Sequence, residues 1–335
     1  MAHAAQSGDA QSARSIAYDM PLDKIDVSDP ALFQNNTMWP YFERLRKEDP
    51  VHYCADGMFG PYWSVTKYKD IVAVDTNHQV YSSESGLGGI TIRDAREDFR
   101  LPMFIAMDPP KHDAQRKVVS PIVAPENLEK LELTIRQRMQ SILDSLPRNE
   151  TFDWVDRVSI ELTTQMLATL FDFPFEDRRK LTRWSDVATA VPGGGVIDSE
   201  EDREKELWEC ADYFARLWNE RINSEPGNDL ISMMAHGEST RNMPRNEFLG
   251  NLILLIVGGN DTTRNSITGG VLALNENPME ILKLKNDPSL IPNMVSEIIR
   301  WQTPLAHMRR TTLADTELGG KHIKKGEKVV MRYVS

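Results

Sequence analysis

Cysteine is nearly absent. The 335 residues hold only Cys54 and Cys210, too few for a disulfide framework or a zinc motif. The seven histidines form no pair at metal-binding spacing, so no metal ligand is assigned to the chain. Long apolar runs are missing as well. The longest purely aliphatic run, Leu252 to Val257, has six residues, against about 20 for a membrane-spanning helix. No membrane span is expected. Lysine and arginine do not cluster, and the formal charge is −11, which argues against nucleic acid as a partner. The N-terminal stretch "MAHAAQSGDAQSARS" lacks the apolar core of a signal peptide. No linker-like composition and no repeat divides the chain. These absences leave a soluble, acidic, cytoplasmic protein.

What is present is globular in composition, 40% hydrophobic and 27% charged. Helical spacing dominates. "WPYFERLRKEDP" (39–50) is a short amphipathic helix stopped by Pro50, and "YWSVTKYKDIVAV" (62–74) begins strand-like and turns helical. A helix is expected after the prolines of "MDPPKHDAQRKVVSPIV" (107–123), and others over 126–146, 155–171 and 199–222. Glycine-rich loops lie at 85–92 and 191–197, and short strands fall toward both ends of the chain. The expected organisation is an N-terminal arm over residues 1–38, partly disordered, followed by one mainly α domain over 39–335.

The longest helical pattern runs from Pro244 to Asn277, roughly 50 Å at about 1.5 Å per residue. Pro244 suits a helix start, and Glu247 suits the positive end of the dipole. Leu249, Leu252, Ile253 and Ile256 mark one face, while Leu254, Leu255 and Val257 fill the others, so the segment reads as buried nearly all round. Gly258-Gly259-Asn260-Asp261-Thr262-Thr263 then interrupts it. Each glycine costs about 1 kcal/mol against alanine in a helix interior, and Asn, Asp and Thr compete for backbone hydrogen bonds. A distorted helix is expected here, with Asp261 and Thr262 lining a cavity. A Gly-Gly step can simply permit close helix packing beside a wet crevice. Alternatively, it brings the backbone against a flat ligand and builds a polar notch able to hold water or a diatomic and to pass protons. The full cluster favours the second reading without naming the ligand.

Two further constellations follow. In "EIIR", Glu297 and Arg300 share a helical face, a pattern that taken alone is an ordinary solvated pair. In "MDPPKHDAQR", His112 and Arg116 stand four apart near a helix start, which alone reads as a basic surface.

Order and spacing of these segments together resemble the cytochrome P-450 family, the haem-thiolate monooxygenases, across roughly residues 39–335. "GGNDTT" is similar to the family's oxygen-binding helix, "EIIR" to its buried Glu/Arg pair, and "DPPKHDAQR" to the helix that holds haem propionates. "MRRTTLADTELGGKHIKKGEKV" resembles the segment from which an arginine, here Arg310, reaches the other propionate. A finer resemblance, in "VPGGGVIDSEEDREKELWECADYFARLWNERI" and "GGNDTTRNSITGGVLALNENP", is to the bacterial soluble alkane terminal hydroxylases.

The resemblance implies a helix-rich single domain with small β-sheets, a haem b cofactor, and insertion of one oxygen atom of O2 into an unactivated C–H bond. The substrate implied is a medium-chain n-alkane or a fatty acid, oxidised at its end carbon. Electrons would come from a ferredoxin and its reductase. Asp261 and Thr262 would deliver protons, and Gly258 and Gly259 would admit oxygen and substrate. His112, Arg116 and Arg310 would hold the propionates, while Glu297 and Arg300 would be structural. The loops at 85–92 and 191–197 would wall an apolar channel. One departure stands against the match. The family's ligand cysteine lies in a loop beyond the last segment here, whereas Cys54 precedes every motif and Cys210 sits in a helical, substrate-side region. On this reading the C-terminal part is missing, and the 335 residues alone are expected to be inactive. Two alternatives remain: a terpenoid or other small lipophile as substrate, and a non-catalytic helical ligand-binding protein.

Overall fold

Strand-forming sequence gathers at the two ends of the chain and helix-forming sequence fills the middle. The computed structural model describes residues 7–94, 96 and 98–335; the first six residues of the expected arm lie outside these. The chain divides into two compact units, one made of residues 1–100, 105–108 and 299–335, the other of 101–104 and 109–298.

In the first unit, residues 7–38 do not behave as an arm. Helix α1 (Ser7–Asp19) and helix α2 (Pro30–Gln34) precede α3 (Trp39–Glu48), and Ala17, Ile25, Val27 and Met38 share one apolar cluster with Tyr41, Phe42 and Leu45 of α3. Composition alone suggested disorder, but burying these few apolar side chains contributes about 1.5–3 kcal/mol for each large one. Arg44 of α3 donates to the carbonyls of Ala17 and Met20 at 2.8 and 2.5 Å, satisfying acceptors at the end of α1.

The sheet combines β1 (Val51–Cys54), β2 (Tyr62–Val65), β3 (Tyr81–Ser82), β4 (Met308–Thr312) and β7 (Lys328–Met331), in the order β1-β2-β7-β4-β3. Helix α4 (Tyr68–Asp75) follows β2. Only the β2–β7 pair is parallel, with Trp63 opposite Val329. All four residues of β7 are buried, as suits a central strand. A separate hairpin joins β5 (Thr316–Leu318) to β6 (Lys321–Ile323). Its two-residue turn places Gly319 and Gly320 at φ +56° and +76°, the positive pair that a tight hairpin turn requires and that glycine adopts without strain.

The second unit is helical: α5 (Lys111–Val119), α6 (Pro125–Asp144), α7 (Glu161–Phe171), α8 (Arg179–Thr189), α9 (Glu200–Ile222), α10 (Leu230–His236), α11 (Arg245–Glu276), α12 (Pro278–Asn286) and α13 (Ile291–Gln302), whose last residues belong to the first unit. The helix expected from residue 155 starts with a π-helical turn, Val155–Ile160. Ser199 caps α9 by accepting from the Asp202 amide at 3.1 Å. Between α7, α8 and α9 the rings of Phe171, Phe173, Trp184, Tyr213 and Phe214 interlock, with Phe173 stacked on Tyr213 at 4.9 Å. Among the described residues no helix is long and apolar enough to cross a membrane.

Candidate active site

Helix α11 carries the cluster that the sequence singles out. Pro244 caps it with extended backbone (ψ 153°), and the helix then continues without interruption to Glu276. The expected distortion at residues 258–263 is therefore corrected. Asn260, Asp261 and Thr262 each find a partner that leaves the backbone ladder intact. The Thr262 hydroxyl donates to the Gly258 carbonyl at 3.1 Å. Asp261 is bound by Arg264 one turn on, and the same guanidinium reaches Asp186 of α8 at 3.1 Å. Burial alone would lower the Arg264 pKa, but the two carboxylates outweigh it and the net shift is upward. Asn260, fully buried, bonds Thr163 of α7 at 2.9 Å. Asp261 is thus held by an arginine instead of standing beside Thr262 as a free acid.

The two glycines do different things. A Cβ on Gly259 would stand 2.5 Å from Leu167 Cδ1, so this glycine lets α7 approach. A Cβ on Gly258 would meet nothing within 4 Å. Gly258 alone borders open space, beside a carbonyl that already engages Thr262.

The first half of α11 also anchors α5. Glu247 is 5% exposed and accepts from Lys111 at 2.6 Å and from Gln115. Asn251, 1% exposed, accepts from the Phe104 amide at 2.8 Å and donates to Gln115 at 3.0 Å. Neither contact was foreseen, because both join residues more than a hundred positions apart. The anchored α5 presents His112 and Arg116. His112 Nδ1 lies 2.7 Å from the Phe104 carbonyl. A carbonyl can only accept, so Nδ1 carries the proton and Nε2 is left without a partner among the described residues. Arg116 is exposed and makes no ion pair there. One unpaired guanidinium and one unpaired imidazole nitrogen fit the propionates of a haem, which are planar carboxylates.

The remaining expected residues lie on other elements. In the first unit, Arg310 donates to Asp75 at 2.7 Å and to the Arg309 carbonyl at 2.9 Å, so its guanidinium is already committed. Glu297 and Arg300 were expected as a buried pair; both are exposed on α13, on a helix whose Ile291, Val295 and Ile299 are also exposed. Both described thiols are buried. Burial, with a smaller contribution from Asp26, pushes Cys54 up to about 11, and burial holds Cys210 well above its ordinary value. A surface cleft of 290 Å³ in the second unit, lined by Arg157, Arg178, Arg179 and Glu161 among others, contains no residue of α11. Glu161 pairs with both Arg178 and Arg179 there, and the polar lining does not suit an apolar substrate.

No family model matches the chain. It is 32% identical to linalool 8-monooxygenase of Pseudomonas putida over 323 residues, which are 94% of this chain and 79% of that protein. It is 36% identical to steroid C26-monooxygenase of Mycolicibacterium smegmatis over 304 residues, 87% of this chain and 70% of that protein. Among solved structures, cytochrome P450-153 from Novosphingobium aromaticivorans superposes with a TM-score of 0.86 at 48% identity, covering 92% of this chain and 78% of that one.

Proposed function

The chain belongs to the cytochrome P-450 family of monooxygenases, and from that premise we propose that it hydroxylates the end carbon of medium-chain n-alkanes or fatty acids, taking electrons from a ferredoxin and its reductase in the bacterial cytoplasm. The observation that carries this reading is the open space at Gly258 next to the Thr262 hydroxyl, just beyond the apolar run Leu252 to Val257. When bound, haem iron supplies the activation of dioxygen. The residues of the chain supply the rest.

His112 Nε2 and Arg116 on α5 would hold propionate. The missing side chain at Gly258 leaves room for a diatomic and the tip of a substrate. The Thr262 hydroxyl gives its proton to the Gly258 carbonyl at rest, which orients the oxygen lone pairs away from the helix. Asp261, bound by Arg264 together with Asp186, would pass protons from solvent toward Thr262 only once that guanidinium releases it. Leu254, Leu255 and Val257 keep bulk water from the approach.

The resemblance of 191–222 and 258–278 to alkane terminal hydroxylases supports the substrate class. Linalool and steroids, named in the relatives above, are likewise apolar molecules, and they keep a terpenoid in play as a second reading. The test is product analysis with the holoenzyme, ferredoxin and reductase, supplied in parallel with n-octane, dodecanoic acid and linalool. Terminal alcohols from octane or the acid support the proposal. Oxidation of linalool alone overturns the substrate assignment, and no oxidation of any of the three overturns both.

A further inference from the structure

Residues 85–94 form a strap over the sheet of the first unit, and its fastening is unusual. The Arg309 amide on β4 donates to the Ile90 carbonyl at 2.8 Å, and Thr311 Oγ1 donates to the Leu87 carbonyl at 2.9 Å. From β7, Lys328 Nζ donates to the Ile92 carbonyl at 2.9 Å, to the Phe59 carbonyl at 2.8 Å and to Asp94 at 3.2 Å. Arg309 binds the other oxygen of Asp94. The side chains of Arg309 and Lys328 are only 6% and 8% exposed, whereas Asp94 is 64% exposed. Two cations buried in neighbouring strands therefore share one carboxylate at the solvent edge.

The strap is shaped around this fastening. Gly88 has φ +113°, and a Cβ there would stand 2.1 Å from Arg309 Nη2 and 2.4 Å from Cζ. The positive φ favours glycine, and any side chain there would have to displace the guanidinium. Lysine is an expensive residue for a central strand, because a buried ammonium must find partners or lose its charge. Here its three donors are all used, and all three acceptors belong to loops that the sheet itself does not contain.

We propose that Arg309 and Lys328 are positioning residues that latch the strap 85–94 through Asp94, and that the latch sets the range of substrate length and width the enzyme accepts. This rests on the reading of 85–92 as a wall of the substrate channel. Closed, the latch keeps the backbone of Leu87 to Ile92 at a fixed distance from β4. Open, it lets the strap move outward from its exposed end.

The test uses Asp94→Asn and, as a second variant, Lys328→Met, with Asp94→Glu for rescue. Asp94 is largely exposed, so its substitution opens no cavity in the core. Amide hydrogen exchange of residues 87–92 is measured on the protein without substrate, and dissociation constants for a series of n-alkanes and fatty acids by spectral titration of the holoenzyme. Asp94→Asn should speed exchange by about tenfold or more, the scale expected when a buried charge loses its partner. It should also flatten the dependence of affinity on chain length while turnover of the best substrate changes less than about twofold; Asp94→Glu should restore both. Unchanged exchange in both variants overturns the latch. Faster exchange with an unaltered length profile overturns the role in selectivity and traces the error to the wall reading, leaving the fastening itself intact.

Discussion

Thr262 Oγ1 lies 3.1 Å from the carbonyl oxygen of Gly258, one turn back along α11. The bond satisfies a hydroxyl that would otherwise compete with the helix backbone, and it leaves the lone pairs of Oγ1 for a donor outside the helix. Thr262→Ala removes a partly exposed hydroxyl, so fold stability should change by less than about 1 kcal/mol. Haem content and substrate affinity should persist while reducing equivalents are diverted to hydrogen peroxide. The measurement is product formed per NAD(P)H consumed; an unchanged ratio removes Thr262 from proton delivery.

The adjacent glycines should respond in opposite directions. Alanine at 258 adds a methyl to open space and gains about 1 kcal/mol of helix propensity. Alanine at 259 drives a methyl into Leu167, and overpacking of about 1–3 kcal/mol outweighs the same gain. Urea denaturation without cofactor should show Gly258→Ala more stable and Gly259→Ala less stable than the parent, while haem titration should be weakened chiefly by the first. Equal responses would mean that the two positions face similar surroundings.

Arg264 ties Asp261 to Asp186 and so links α11 to α8. The two carboxylates keep 27% and 35% exposure, so water offsets part of the loss when the cation is removed. Arg264→Gln should cost about 1–2 kcal/mol. A double-mutant cycle with Asp186→Asn should return a coupling energy of about 0.5–1 kcal/mol. Coupling near zero would show that the bridge contributes nothing to stability.

Burial, reinforced by the positive charge of Arg332, pushes the His307 imidazole from its ordinary 6.5 down to about 4. Between those values the unfolded chain binds more protons than the folded one. His307 therefore contributes its full stability above about pH 6.5, loses it as pH falls, and contributes none below about 4. The full amount is on the order of 3 kcal/mol, of which about 2 falls between pH 7 and pH 5. Denaturation at pH 7 and pH 5 should show a smaller drop in His307→Gln than in the parent, and an equal drop would refute the assignment.

Much of the fold was readable because periodicity is local. The apolar spacing of 126–146 and 199–222 marks α6 and α9 within a residue or two, and Pro244 marks the start of α11. Misreadings arose where a distant partner decides. Gly258 and Gly259 look alike in sequence, and only the position of Leu167 separates them. The expected kink in α11 vanished because Arg264 and the Gly258 carbonyl absorb the polar side chains. The strap was legible as a glycine-rich loop, but its fastening joins residues more than two hundred positions apart. A signal was present in Lys328, a cation opening the apolar run Val329-Val330-Met331. Burial of Glu297 and Arg300 was inferred from resemblance, and α13 exposes both.

The parallel pairing of β2 with β7 has a consequence in time. Trp63 and Val329 are neighbours across that pair, yet a ribosome adding about 5–20 residues per second needs on the order of 10–50 s to make the chain between them. The second unit, drawn from residues 101–104 and 109–298, is fully synthesised before any residue of β4 or β7 exists. It can fold first, while the β1–β2 hairpin waits with the edge of β2 open and four apolar or aromatic-flanked positions uncovered. The nascent chain therefore spends most of its synthesis with one adhesive strand edge exposed, the kind of edge that chaperones shield and that other chains pair with when they do not. β7 is the strand that closes it.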